Sequence, residues 1–133
     1  MKNYEEEMGW TEKKSKKNDF VAQIKERMLK ILSKKDSQIS EEDRYELESC
    51  RTLEYEKVTE WIIRNKTDEY DGALLVRLRE KNPSQFPIIV GIMFMHENRV
   101  CLGKEHNKKI VHCTYLSEEL DKLFEGKESL ILK

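Results

Sequence analysis

The chain has 133 residues, 38% of them apolar and 38% charged, enough for one thinly cored domain and too few for two ordinary ones. Lys plus Arg is 25 against 26 for Asp plus Glu, a net charge of -1; this excludes the global positive field of a nucleic-acid or acidic-membrane binder and leaves charged recognition to local patches. The longest nearly uncharged apolar stretch, Phe86 to Met95, is about half the roughly 20 residues a membrane-spanning helix requires.

Met1 to Lys17 is charge-rich, holds no apolar run of the secretory kind, and reads as a flexible tail (1–17). With no export signal, the three cysteines read as reduced thiols of a cytoplasmic protein. Between Gly9 and Gly72 there is neither glycine nor proline, whereas both prolines and four of the five glycines fall in the last 62 residues. Glycine and proline punctuate turns, so the first stretch reads as helix and the second as short strands. After a cap at Asn18 or Asp19, Phe20, Ile24, Met28, Ile31 and Leu32 recur at spacings of three and four and predict a helix ending near Ser33.

Ser40, followed by Glu41, Glu42 and Asp43, predicts the start of a second helix, on which Leu47, Cys50, Tyr55, Val58, Trp61 and Ile62 form one broad stripe. The two helices are expected to pair as a hairpin spanning 18–66. Glu54 falls inside the stripe: either it is a buried carboxylate, or the helix breaks near Thr52 and turns it outward. Cys50 reads as a small core residue.

From Asp71-Gly72 onward the pattern changes to strands, 72–133. Ala73 to Arg79 alternates as a half-exposed strand, and Ile88 to Met95 runs without a polar break, as the central strand of a sheet covered on both faces. The second cover is expected from the tail or from a second copy, which makes a homodimer an expectation. Glu97-Asn98 predicts a tight turn into Arg99 to Leu102, Gly103 to Lys108 a polar loop, and Lys109 to Tyr115 a further strand. Ser117 caps a short helix closed by Gly126, and Leu130 to Leu132 reads as an edge strand. The expected class is α+β: an N-terminal helical hairpin packed on a mostly antiparallel sheet of four to five strands, with a short C-terminal helix, the whole forming one domain over 18–133.

The chemically versatile side chains His96, Cys101, His106, His112 and Cys113 cluster between residues 96 and 113. A turn at Glu97-Asn98 pairs Phe94 with Cys101 and sets His96 and Cys101 on one sheet face; a loop centred near His106 then pairs Val111 with Cys101 and adds Cys113 to that face, with His112 on the other. If the chain is an enzyme, His96, Cys101, His112 and Cys113 are its candidate catalytic residues, a thiol beside an imidazole being the minimum for a Cys-His nucleophile. No pair of ligands stands at the two-to-four-residue spacing of a zinc knuckle, so no metal or other cofactor is expected. The plainer reading packs Cys101 and Cys113 as small apolar residues, leaves His96 and His106 in solvated turns, and half-buries His112.

Tyr70-Asp71-Gly72-Ala73-Leu74-Leu75-Val76, then Val90-Gly91-Ile92, then Lys109-Ile110-Val111-His112 resembles the strand series of papain-like cell-wall endopeptidases of the NlpC type, over roughly 45 residues. In that family a catalytic histidine directly precedes the Val-Gly-Ile strand, where this chain has Ile89. The family's nucleophile opens a helix in an Asp-Cys-Ser/Trp-Gly context, whereas Cys50 sits in Glu-Ser-Cys-Arg. The resemblance therefore implies an inactive relative. The order of two helices followed by a sheet bearing basic residues also resembles small ribosome-targeting ribonuclease toxins. That likeness implies a phosphate-binding surface formed by Arg77, Arg79 and Lys81 with Lys104, Lys108 and Lys109. The binding candidates are thus Arg77, Arg79, Lys81, Lys104 and His106. Acids interleaved with these bases favour a solubilising surface. With no catalytic constellation or cofactor motif, the expectation is a small non-catalytic protein that acts by binding another macromolecule, most readily a protein, as an inhibitor, immunity or regulatory partner of the kind phage and mobile elements carry.

Overall fold

A computed structural model describes residues 11–33, 44–79 and 86–133. The chain divides after Ser33 into a helical unit and a sheet-bearing unit. The first contains helix α1, Thr11–Ser33. It ends where the apolar spacing predicts, and the carbonyl of Lys30 accepts a hydrogen bond from the Ser33 hydroxyl at 2.8 Å in the last turn. Most of the expected 1–17 tail lies outside the described residues. No helix among the described residues is long and apolar enough to cross a membrane.

The second unit is α+β, and its order departs from a helical hairpin. It runs β1 (Glu46–Leu53), α2 (Tyr55–Asn65), β2 (Gly72–Arg79), β3 (Ile88–His96), β4 (Arg99–Val100), β5 (Lys108–Leu116), α3 (Glu118–Phe124) and β6 (Ser129–Leu132). The strands form one mixed sheet of order β1-β5-β3-β2-β6, with β4 also paired to β3. The expected second helix is replaced over Glu46–Leu53 by a strand, parallel to β5, while its expected start at Ser40 lies outside the described residues.

Three groups give β1 its strand state. In register, Glu46 lies opposite Lys109, Glu48 opposite Val111 and Cys50 opposite Cys113. The Lys109 ammonium is 2.5 Å from Glu48 Oε1 and 3.3 Å from Glu46 Oε2, with its side chain only 9% exposed. Trp61 Nε1 in α2 donates to Glu46 Oε1 at 3.2 Å. A buried cation left without these carboxylates costs several kcal/mol, so the register of β1 on β5 outweighs the helix preference of Glu and Leu.

The break between β1 and α2 needs neither glycine nor proline. Glu54 takes an extended conformation (φ -98°, ψ 145°) open to any residue and lies exposed, its carbonyl accepting the first helical bond from Val58 N at 3.2 Å. From there α2 lays Val58 and Trp61 on the sheet. They join a core of Ala73, Leu75, Ile88, Val90, Ile92, Phe94, Val111 and Cys113, with Leu120 and Phe124 of α3 on the same side.

β3 occupies the middle of the sheet and is buried from Ile88 to Met95, as its uninterrupted apolar run requires. β2 is also buried except at Arg77 and Arg79, so it is less exposed than its alternation suggests. The turn after β3 has Glu97 and Asn98 at φ 50° and 65°, the paired positive values of a type I′ hairpin turn. Ser117 Oγ accepts from Leu120 N at 3.3 Å and caps α3; Glu125 (φ 52°) and Gly126 (φ 74°) then release the chain into edge strand β6.

The sheet makes two checkable demands. A Cβ at Gly72 would stand 2.9 Å from the Leu132 carbonyl oxygen, a backbone atom with little room to retreat. Gly72→Ala is expected to destabilise the fold by about 1–3 kcal/mol in urea unfolding, with amide exchange accelerated first over Leu130–Leu132. Glu46 has its pKa lowered from 4.5, first by the Trp61 hydrogen bond and then by Lys109. The stability it contributes is therefore fully present above about 4.5 and lost as pH falls through its lower folded value. Glu46→Gln should flatten the acid limb of the stability curve, and an acid limb identical to wild type would contradict the linkage.

Candidate binding cleft

Strand alternation sets Arg77 and Arg79 on the same side of β2 as Ala73 and Leu75, facing the helices. Arg79 lies opposite Ile88, and Ile88 opposite Cys113, so Tyr115, two residues beyond on β5, projects beside them. α3 stands over this end of the sheet, and the space beside it is a cleft of about 810 Å³ lined by Arg77, Arg79, Ile88, Tyr115, Asp121 and Glu128.

The two arginines do different work. Arg77 Nη1 is 3.0 Å from Asp121 Oδ1, its Nε donates to the Lys127 carbonyl at 2.9 Å, and its guanidinium lies 4.6 Å over the Phe124 ring. Its own amide donates to the Glu128 carbonyl at 2.8 Å. Three of these four contacts go to the turn between α3 and β6 or to the ring at its edge, so Arg77 staples that turn to β2. Arg79 is exposed and has no ion-pair partner among the described residues. Beside it the Tyr115 side chain is open to solvent, with 55% of the residue exposed. Among the described residues the cleft thus presents the Arg79 guanidinium and the Tyr115 phenol beside Ile88 and Pro87, with Asp121 and Glu128 also in its lining.

The cluster of histidines and cysteines does not assemble. The turn at Glu97-Asn98 does set Cys101 against Phe94, with Cys101 N donating to Phe94 O at 2.9 Å. The chain does not then reverse. After a loop over 101–107 it resumes as β5 on the same edge of β3 and in the same direction, pairing Lys108 with Met93, Val111 with Val90 and Cys113 with Ile88. Cys113 thus lies six strand positions from the level of Cys101, roughly 20 Å at about 3.3 Å per residue, and the expected Val111–Cys101 pairing is replaced. His112 points to the opposite face from Cys113, and His96 is an exposed strand end 3.8 Å from the Glu97 carboxylate. Among the described residues no three His, Cys, Asp or Glu side chains are placed to hold a metal ion.

His106 differs from the solvated residue the loop composition suggests. Its side chain is 15% exposed and shares a 2.6 Å hydrogen bond with the Tyr70 hydroxyl through Nδ1. Glu105 lies 3.2 Å from Nε2 and Glu69 3.9 Å from Nδ1. Burial, with Glu69 beside it, pushes the Tyr70 phenol up to about 12. Burial, with Glu69 and Asp71, raises the Cys101 thiol as well. Both keep their protons near neutral pH, and the Tyr70–His106 bond ties the loop to the segment before β2.

The basic residues of the loop divide in the same way. Lys108 is buried and donates to the Leu102 and Gly103 carbonyls at 3.0 and 3.2 Å, and Lys109 is paired within the sheet. Lys104 is exposed, while Lys81 lies outside the described residues. Sequence reading missed the carboxylate pair around Lys109 and the Tyr70–His106 contact. The period-two arrangement of Glu46, Glu48 and Cys50 was the available signal for the first; nothing local signals the second.

The chain is thus an α+β protein with a mixed six-stranded sheet and an open cleft at one end of it. Comparison with protein-family models, with curated proteins and with solved structures returns no match to this chain. Cys50 lies on β1 and does not open a helix, so it stands away from the nucleophile position of an NlpC-type fold. Burial raises the Cys50 thiol and pushes Cys113 up to about 12. All three thiols of the native protein should therefore react with iodoacetamide more slowly at pH 7.5 than free cysteine does, Cys113 only on unfolding. A single fast-reacting thiol in mass-resolved labelling would show an activated cysteine and contradict this.

Proposed function

We propose that this is a small, non-catalytic cytoplasmic protein that binds another protein through the cleft at Arg79 and Tyr115, as an inhibitor, immunity or regulatory partner. The observation that carries the reading is the exposed Arg79 guanidinium, without an ion-pair partner among the described residues, beside the exposed Tyr115 phenol in the cleft. Arg and Tyr are the residue types that concentrate binding energy at protein interfaces, where their flat polar ends satisfy hydrogen bonds and their bodies exclude water.

Two rival readings lose support from the same geometry. A Cys-His enzyme needs a thiol and an imidazole within hydrogen-bond reach; among the described residues no cysteine hydrogen-bonds a histidine, and burial raises the Cys101 and Cys113 thiols. A phosphate-binding stripe needs Arg77, Lys108 and Lys109 at the surface, and all three are committed to internal partners.

The test is a photo-crosslinking amino acid at position 115 in the native host, with position 122 as an exposed control. One defined protein adduct at 115, absent at 122 and lost in Arg79→Glu, is expected. Adducts insensitive to Arg79→Glu, or crosslinked RNA or DNA in place of protein, would overturn the proposal.

A further inference from the structure

A second surface lies at the other end of β2. β6 closes the sheet on that side, paired with β2 through Ala73–Leu132 and Leu75–Leu130, and its outer edge has no strand against it among the described residues. Leu130 and Leu132 pack against the core, and Leu132 lines a groove of about 240 Å³ together with Ile62 and Ile63 of α2. Ile63 is 76% exposed, the most exposed large apolar side chain described. The close approach of Gly72 to the Leu132 carbonyl fixes one wall of the groove, and the packing of Val58 and Trp61 fixes the other.

An open strand edge beside an apolar helix wall is the geometry of strand addition. Backbone N–H and C=O groups of β6 pair with an incoming segment, and every second side chain of that segment drops against the helix. The groove lining also has a sign. Lys66 and Lys133 stand on it with no acidic side chain in the lining, and neither has an ion-pair partner among the described residues. A second copy of this chain would offer Ser129–Leu132, an uncharged strand that brings no carboxylate of its own to Lys66.

We propose that the groove between α2 and β6 takes an extended acidic segment of a partner protein as a seventh strand. Its apolar side chains alternate into the groove against Ile62 and Ile63, and its carboxylates meet Lys66 and Lys133. This surface is separate from the Arg79–Tyr115 cleft and stands or falls independently of it.

The experiment uses the full chain against a random octapeptide library displayed on phage, followed by fluorescence anisotropy with the synthetic consensus peptide. Selected sequences are expected to alternate apolar residues with Asp or Glu. Ile63→Asp, an exposed position whose variant should keep the wild-type urea midpoint, is expected to weaken binding about tenfold or more. Lys66→Glu should do likewise and shift selection toward basic sequences, whereas Arg79→Glu should leave peptide affinity unchanged. Amide shifts in NMR titration should centre on Ser129–Leu132. No enrichment, a consensus indifferent to both groove variants, or self-association abolished by Ile63→Asp would each overturn the proposal, the last by naming a second copy as the occupant.

Discussion

One stack of rings sets the geometry on which the rest of the sheet-bearing unit depends. Trp61 lies 5.6 Å from Phe94 at an interplanar angle of 15°, and Phe94 lies 4.4 Å from Tyr70 at 5°. Tyr70 in turn meets His106 edge-on at 5.6 Å. The series joins α2, the central strand, the segment before β2 and the loop before β5, which are far apart in sequence. Aromatic pairs of this kind add about 0.5–1.5 kcal/mol each beyond the area they bury. Buried phenol oxygens also need a partner, and His106 supplies it. The loop over 101–107 therefore folds back over the stack and is tied down a second time where Asn107 Nδ2 donates to Asn65 Oδ1 at the end of α2.

That loop explains why the chemistry-bearing residues do not converge. A polar stretch between two short strands reads as a hairpin, which would reverse the chain and bring Val111 beside Cys101. Here the stretch is an excursion within a single line of pairing along β3. The excursion is stabilised by contacts invisible in local sequence: the Lys108 ammonium closes onto two of the loop's own carbonyls, and His106 caps Tyr70 thirty-six residues away. Where register depends on such long-range contacts, alternation patterns give the faces of a strand correctly and its neighbours wrongly. His112 and Cys113 fall on opposite faces as read, yet at the far end of the sheet from Cys101.

The strand half was otherwise legible, because its signals are local. Ile88 to Met95 has too many apolar residues for a one-sided strand, Glu97-Asn98 suits positive φ, and Ser117 heads a helix that starts with acids. Residues 46–53 failed for a physical reason. Glu, Leu and Arg favour a helix in isolation, and an exposed edge strand carries no apolar face to contradict them. Its strand state resides in a lysine sixty residues later, whose buried charge requires Glu46 and Glu48. Glu54, at φ -98°, shows that a strand can end and a helix begin with neither glycine nor proline at the junction.

Arg77 shows how the fold separates support from recognition. A cation on a strand beside a second cation looks like half of an anion site, but its guanidinium is already satisfied by Asp121, by the Lys127 carbonyl and by the face of Phe124. Because Arg77 holds the turn that leads into β6, the position of the open edge strand and the shape of the cleft share one anchor. Arg79 and Gly72 lie seven residues apart on β2, about 23 Å at about 3.3 Å per residue. A single partner that met both proposed surfaces would have to span that distance, with a folded body at the cleft and an extended segment along β6. Linking two modest contacts in this way raises the local concentration of the second once the first has formed, which strengthens binding without enlarging either surface.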